Sequence, residues 1–311
     1  ILIFGLANSP AMFILGRSLM GLTGGTAALA GMVAFRSHLP HRFIPACLGI
    51  LLAAGGIGGM AAGYPLEQLI IYYGWQGACY FLAAFGLFLS AFFFAVAPTD
   101  NMEKKGGFKF GVSMGHMKEV LSSPLFWSMT VFTGVAYGTF VSYQTLWISP
   151  WLIHVIGKSR ETVSVFILLM NFGMTIGLLL NHPLEILAKK IKIPYGFFLN
   201  VVTALSIVCL FILASRDFSS SWAVWMIYAL FAQVALHVYT LFAHHVRMEH
   251  YPLFITTHAF FLFFTAFIIQ SLIGYVLDCW PANASGEYPF ESYASAFYVV
   301  IGVNILAFIG A

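Results

Sequence analysis

The chain has 311 residues, of which 60% are hydrophobic and only 8% are charged, whereas soluble domains carry about 25% charged residues. A soluble fold of this length cannot cover so much apolar surface, so the composition predicts an integral membrane protein in contact with the lipid bilayer. The formal net charge of +3 is small and comes from connecting segments, so we expect no nucleic acid as a partner.

Apolar runs of about 20 residues predict the membrane-spanning helices. After a short apolar start at 1–9, nine runs are long enough to cross a membrane: 12–35, 43–66, 75–97, 124–152, 162–184, 194–214, 221–243, 252–277 and 292–311. The chain begins with Ile1 rather than Met and ends inside an apolar run, so we expect both ends to be truncated. The sequence therefore predicts an all-α, polytopic membrane bundle.

The Lys and Arg residues test this span count. Strict alternation of sides places four of the 14 on one side, namely Arg17, Lys158, Arg160 and Arg216. The other ten fall on the opposite side: Arg36, Arg42, Lys104, Lys105, Lys109, Lys118, Lys189, Lys190, Lys192 and Arg247. Cytoplasmic loops collect basic residues, so the polar segment 98–123 is predicted to be a cytoplasmic linker between a partial first half, 1–97, and a second half, 124–311.

Two similar stretches indicate that the halves are repeats. Gly63–Glu67 reads GYPLE and Gly274–Asp278 reads GYVLD. Each is expected to end a span on the outer side, and each is followed by a span that starts with small and aromatic residues. Two copies in the same orientation are typical of parallel repeats related by an axis along the membrane normal.

Four motifs together resemble the major facilitator superfamily of secondary transporters. Arg17–Gly25 resembles its RxxxGxGxG signature, with Thr23 in place of a glycine, and Gly55–Pro65 resembles the glycine-rich fifth helix without the antiporter GP pair. Gly74–Gln76 resembles the GWR that opens the sixth helix, and Asn181–Lys190 resembles the degenerate GxxxDRxGRR loop. The resemblance implies two pseudo-symmetric six-helix halves, the first lacking all but the end of helix three and helices four to six.

The resemblance also implies a central cavity lined by 12–35, 124–152 and 221–243. In the second of these spans, Tyr137, Gln144 and Trp147 are spaced by seven and three residues, which predicts a shared face that contacts substrate. The alternative is a helix-packing face with Trp147 in the interfacial aromatic belt.

The third cavity-lining span contributes Gln233 and, one turn later, His237. A histidine at bilayer depth is useful as a proton carrier, and the alternative is a neutral imidazole that is hydrogen-bonded between helices. Asn171, His258 and Gln270 are weaker candidates, and for Asn171 helix packing is the expected role.

Three charged residues at span ends are candidates for gating or proton coupling: Arg17, Glu67 and Asp278. Arg17 begins a span and Glu67 ends the next antiparallel one, so we expect the two charges to face each other directly or through water. The alternative is that each side chain reaches the interface on its own.

The predicted function is secondary transport of a small solute by alternating access, with a proton or another ion as a candidate coupling partner. His244–His250, with His38 and His41, superficially resembles the histidine clusters of membrane oxidases, but an ordinary cytoplasmic loop is the favoured interpretation. No Walker or HExxH motif occurs in the sequence, and we expect no enzyme, metal or cofactor. The alternative is a non-transporting receptor or intramembrane enzyme, and the predicted location is the plasma or inner membrane.

Overall fold

The computed structural model describes residues 1–23, 44–96, 117–233, 251–283 and 286–310. The chain divides into two units, Ile1–Phe108 and Lys109–Ala311. All regular structure in the described residues is helical, so the prediction of an all-α fold is confirmed. Most of the segment 98–123 lies outside the described residues, and its role as a linker stays a prediction.

The first unit contains four helical segments. They are α1, Leu2–Gly5; α2, residues 10–23; α3, Ile44–Ala61; and α4, Tyr64–Val96. Both α1 and α3 pack against α4. The aromatic rings of Phe4, Phe13 and Trp75 meet where α1, α2 and α4 come together.

The second unit contains six longer segments. They are α5, Pro124–Val155; α6, Arg160–Lys190; α7, Tyr195–Leu213; α8, Trp222–Phe231; α9, Tyr251–Asp278; and α10, Phe290–Ile309. Across both units, six described helices are long and apolar enough to cross a membrane: α4, α5, α7, α9, α10 and the Arg160–Leu180 part of α6. This result confirms the prediction of a polytopic membrane protein.

The structure corrects the predicted connection between 43–66 and 75–97. Helix α3 ends at Ala61, and α4 begins at Tyr64, so Pro65 lies in the first turn of a new helix. Proline has no amide hydrogen to donate and is tolerated there. Helix α4 is then interrupted at Gly74, whose φ of 71° and ψ of 167° fall in a region that glycine enters without a Cβ clash.

This geometry also corrects the comparison of the two similar stretches. Tyr64–Glu67 starts a helix, whereas Gly274–Asp278 ends α9. The two stretches are therefore not structurally equivalent, and the difference follows from Pro65, which stands where the second stretch has Val276. The duplication of the two halves stays a prediction.

The predicted loop after span 162–184 is helical instead. Helix α6 continues through Pro183 to Lys190, so the stretch Asn181–Lys190 belongs to a helix end rather than to a loop. A proline removes one hydrogen bond from the helical ladder, and the neighbouring bonds of this long helix keep it continuous.

Glycines allow two pairs of helices in the second unit to approach closely. A Cβ atom added to Gly173 or Gly177 of α6 would lie 2.2 or 2.5 Å from the carbonyl oxygen of Met226 or Leu230 in α8. A Cβ atom added to Gly138 of α5 would lie 3.0 Å from the backbone nitrogen of Ala266 in α9. Small residues spaced by four bring helix backbones together in this way, so α6 packs closely on α8 and α5 packs closely on α9.

Candidate functional site

Helix α5 departs from α-helical geometry in its second half. Tyr143–Trp147 and Trp151–Val155 are π-helical, and the short α-helical segment Ile148–Pro150 lies between them. Pro150 cannot donate the usual bond to the carbonyl four residues earlier, which loosens the ladder at this point. π-helical turns occur frequently at functional sites, so the side chains of Tyr143–Trp147 are the first place to look for one.

Gln144 contacts α6 from the first π segment. Its side-chain nitrogen donates a hydrogen bond of 2.8 Å to Oδ1 of Asn171 and lies 3.7 Å from the sulfur of Met174. The side-chain nitrogen of Asn171 in turn donates to the backbone carbonyl of Ile167 at 2.8 Å. Asn171 is buried, whereas Gln144 is only half-buried, so the glutamine retains exposed surface beside a fixed partner.

The next residues of the same segment contact α9. The side-chain nitrogen of Gln270 donates a hydrogen bond of 2.9 Å to the hydroxyl of Thr145, which itself donates to the carbonyl of Val141 at 2.7 Å. The indole nitrogen of Trp147 donates to the backbone carbonyl of Gln270 at 3.3 Å, and its ring lies beside Gly274. The half-buried Gln144 and Gln270 and their partners Asn171 and Thr145 are together called the half-exposed set below.

The contacts do not agree with the predicted common face of Tyr137, Gln144 and Trp147. Tyr137 packs edge to face on Phe263 of α9, with 6.0 Å between ring centroids, and Trp147 also contacts α9, whereas Gln144 contacts α6. A π turn closes its hydrogen bond over five residues instead of four, so a spacing of three no longer places two side chains on one line. Whether any of the three contacts substrate stays a prediction.

The second predicted pair of site residues is described only in part. Gln233 follows α8 and is buried, and its side-chain nitrogen finds no hydrogen-bond partner among the described residues. His237 lies outside the described residues, as do His38, His41 and His244–His250. No hydrogen bond joins Gln233 to the half-exposed set within the described part of the chain.

Of the charged candidates, Arg17 has an aromatic partner and Glu67 lies at a helix start, and the expectation that the two charges face each other stays a prediction. The Arg17 guanidinium lies 5.0 Å from the centroid of the Phe4 ring, a cation–π distance. Glu67 is in the first turn of α4, where the positive end of the helix dipole favours a carboxylate. The new helix start at Tyr64 thus gives Glu67 a stabilising position that the sequence pattern did not reveal.

Asp278 ends α9 and accepts a hydrogen bond from the hydroxyl of Tyr288. This bond raises the pKa of Tyr288 above its ordinary value, because a hydrogen bond donated by the hydroxyl stabilises its protonated form. Nearby, Glu287 lies 2.8 Å from the ring of His154 and accepts a bond of 3.1 Å from Asn283. The hydrogen bond from Asn283 and then that from His154 lower the pKa of Glu287.

A second set of polar contacts joins α5 to α9 and is fully buried. The hydroxyl of Thr130 lies 3.1 Å from Nδ1 of His258, and that of Thr133 lies 3.5 Å from Nε2. His258 and both threonines are buried, with exposed fractions of 0%, 2% and 1%. These three residues are called the buried set below, and their burial indicates a structural contact between helices.

Two aromatic groups near the π segments are buried as well. The hydroxyl of Tyr143 and the indole nitrogen of Trp151 have no hydrogen-bond partner among the described residues. Both rings pack on Phe297, with centroid distances of 4.6 and 5.2 Å, so packing against α10 positions them. In the described part of the chain, no group of three or more His, Cys, Asp or Glu residues could hold a metal ion.

Comparison with known families decides the class of protein. A family model described as Major Facilitator Superfamily matches residues 1–274. The chain belongs to the major facilitator superfamily. Among curated proteins, none matches the chain. The chain is therefore a membrane transporter of this superfamily, as its motifs predicted, and the family's members are transporters rather than enzymes.

The half-exposed set includes residues that sequence reasoning ranked low. Asn171 and Gln270 are uncharged amides in the middle of apolar spans, which was the available signal. Their partners were not predictable, because Asn171 is 27 residues from Gln144 and Gln270 is 125 residues from Thr145. Sequence spacing orders residues along one helix only, whereas these contacts join three helices.

Proposed function

We propose that this superfamily member is a secondary transporter that moves a small solute by alternating access. In this proposal Gln144 contacts the solute, and Gln270, Tyr137 and Trp147 form the neighbouring surface. Gln233 and His237 contribute from the tenth helix of the family fold, with His237 as a candidate carrier for a coupling proton. The protein acts in the plasma or inner membrane without nucleic acid partners.

The observation that supports this site is the half-buried amide of Gln144 in a π-helical turn. A binding site for a small polar solute needs a few directed donors and acceptors among apolar walls. Gln144 and Gln270 provide such groups, and each is held by a side chain of another helix, Asn171 of α6 for Gln144 and Thr145 of α5 for Gln270. A group with exposed surface can bind a solute. Removing the amide of Gln144 also takes a donor from the buried Oδ1 of Asn171, so transport is compared per folded molecule.

The test begins with ligand screening of the complete protein. Purified protein is screened by thermal stability against sugars, polyols, amines, amino acids and carboxylic acids. A stabilising solute is then used in radiolabelled form for counterflow in proteoliposomes. We expect counterflow by the wild type and a loss of about tenfold or more in Gln144→Ala, which corresponds to about 1.4 kcal/mol.

Asn304→Ala provides the matched control. Asn304 is also an amide of the second unit, but it is buried and donates to Thr139 and to the carbonyl of Val300. We expect this variant to lose stability while its folded fraction transports normally. Binding without counterflow would refute the transport proposal, and normal counterflow by Gln144→Ala would refute the proposed site.

Orientation belongs to the same proposal. Segments 98–123 and 185–193 carry seven of the ten basic residues on one predicted side, and we propose that both face the cytoplasm. In a protein whose exposed Cys279 has been replaced by serine, a cysteine introduced at Ser113 should resist an impermeant thiol reagent in intact cells and react after permeabilisation. Ready labelling in intact cells would reverse the proposed topology.

A further inference from the structure

The hydrogen bonds of Gln144 and Gln270 fix the direction in which each amide points. An amide has one end that donates and one that accepts, and the two ends look alike in shape. A backbone carbonyl can only accept, so a side chain bonded to it must place a donor there. Both glutamines are connected to such a carbonyl through one intermediate side chain.

The first chain of bonds runs through α6. The carbonyl of Ile167 accepts from Nδ2 of Asn171, which leaves Oδ1 of Asn171 as the atom that faces Gln144. That oxygen can only accept, so Gln144 must present its nitrogen to it. The side-chain oxygen of Gln144 is consequently the free end of the amide, and it accepts no hydrogen bond from the described residues.

The second chain of bonds has the same direction. The carbonyl of Val141 accepts the hydroxyl hydrogen of Thr145, so the oxygen of Thr145 is left to accept from Gln270. Gln270 therefore also directs its nitrogen toward the protein. Its side-chain oxygen likewise accepts no hydrogen bond within the described part of the chain, and Gln270 is half-buried like Gln144.

We propose that these two oriented amides select solutes that present hydrogen-bond donors, such as ammonium, amine or hydroxyl groups, over solutes that present only acceptors, such as carboxylates. A donor group of the solute can form a hydrogen bond to either side-chain oxygen, which accepts none from the described residues. A carboxylate at the same position meets a carbonyl oxygen and gains no hydrogen bond from it. Asn171 and Thr145 are positioning residues in this proposal, because they set the polarity of the amides without contacting the solute.

This inference rests on the proposed transport site and names its substrate class. Three probes share a three-carbon skeleton and differ in their end groups: 1,3-diaminopropane, 1,3-propanediol and malonate. Each is added to the complete protein at tens of millimolar, and both thermal stability and inhibition of counterflow are measured. We expect the diamine, the diol or both to compete at least about fivefold better than malonate, the difference that about 1 kcal/mol produces.

The positioning residues provide the decisive variants. Asn171→Leu keeps a side chain of similar size but releases Gln144, whose amide can then turn either end outward. The ratio of competition by the diamine or the diol to competition by malonate should therefore fall toward one. Thr145→Val releases Gln270 in the same way at an exposed position, where folding is not at risk. Asn304→Leu removes a buried amide outside the site, and its preference should equal that of the wild type.

The outcomes separate this inference from the proposed function. If malonate inhibits counterflow as strongly as the diamine or the diol does, the transport proposal stands and the donor preference is overturned. The preference is overturned as well when neither the diamine nor the diol has any effect, or when Asn171→Leu and Thr145→Val both keep the wild-type ratio. A protein that binds solutes without counterflow instead refutes transport itself.

Discussion

Helix α5 carries two sets of polar contacts, and they differ in exposure and in backbone geometry. The buried set lies in its α-helical first half, where His258 bridges Thr130 and Thr133 with almost no exposed surface. The half-exposed set is joined to the π-helical turn through Gln144 and Thr145, and Gln144 and Gln270 each keep part of their surface open. Similar side chains on one helix are thus used in two ways.

The difference teaches that exposure, rather than residue type, separates a structural contact from a candidate site. Removing one partner of a buried hydrogen bond leaves the other group unsatisfied, at a cost of about 1–3 kcal/mol. Removing a partially exposed partner leaves a group that solvent or solute can satisfy. The buried set should therefore determine stability, and the half-exposed set should determine transport.

The largest change in stability is expected at the glycine contact between α6, which carries Asn171, and α8. In Gly173→Ala, the new Cβ would lie 2.2 Å from the carbonyl oxygen of Met226. Backbone atoms cannot move aside as a flexible side chain can, so we expect a destabilisation of about 3 kcal/mol or more. Thermal unfolding measured by fluorescence-detected size exclusion gives the change.

Gly302→Ala is the control for that substitution, because a Cβ at Gly302 of α10 meets nothing within 4 Å. It should unfold at the wild-type temperature or slightly above. Equal stability of the two variants would show that α6 and α8 are not held by the glycine contact.

The buried set gives the next largest effect. His258→Leu keeps the volume of the side chain but leaves the hydroxyl of Thr130 without the imidazole in an apolar environment. We expect a loss of about 1–3 kcal/mol in the free energy of unfolding. The apparent KM for transport by the folded fraction should be unchanged. A clear shift in KM with normal stability would move His258 from the structural class to the site.

The half-exposed set should show the reverse behaviour in Thr145→Val. The substitution keeps the shape of the side chain and removes the hydroxyl that accepts from Gln270. Because Thr145 is exposed, we expect a stability change within about 0.5 kcal/mol. The KM for the transported solute should rise about fivefold, equivalent to about 1 kcal/mol. A destabilised variant with normal KM would erase the distinction between the two sets.

The smallest effect is expected from the exposed contact of Glu287 with Asn283 and with His154, which lies in the last turn of α5. The pKa of Glu287 is lowered by these hydrogen bonds. Its folded-state pKa is thus below the unfolded one, so the stabilisation is present above the ordinary pKa of glutamate, about 4.3. It is lost as the pH falls through the lowered value.

A thermal-stability series from pH 6 down to pH 3.5 measures this contribution. Wild-type protein should lose more stability over the acid range than Glu287→Gln, whose side chain has no proton to gain. Glu291→Gln in the first turn of α10 serves as the control and should follow the wild type. Parallel curves for the wild type and Glu287→Gln would contradict the expectation.

Much of the fold was predictable from hydropathy alone. The spans 194–214, 252–277 and 292–311 agree closely with Tyr195–Leu213, Tyr251–Asp278 and Phe290–Ile309. The GWQ triplet at Gly74–Gln76 marked the position of the break. The triplet did not show that the break interrupts a helix that has already begun at Tyr64. Pro65 lies in the first turn of that helix and favours a helix start. A search for apolar runs does not detect such a start.

The candidate site was predictable only in its residue types. Gln144 was identified because it is polar, uncharged and inside an apolar span. Its partner Asn171, the divergence of Trp147 toward α9 and the direction of both amides were not accessible from spacing. Sequence periodicity assumes a regular helix, and the π-helical turn at Tyr143–Trp147 changes the side-chain directions at the residues concerned.

The sequence by itself determined that this is an α-helical membrane transporter of the major facilitator superfamily. It could do so because the free energies of transferring apolar side chains into lipid add along consecutive residues. The family motifs are likewise short stretches of consecutive residues. The tertiary structure decided which polar groups are buried and which atom of each amide is left free. Those properties depend on partners that lie 27 to 125 residues away and that the packing of helices in the second unit brings within hydrogen-bond distance.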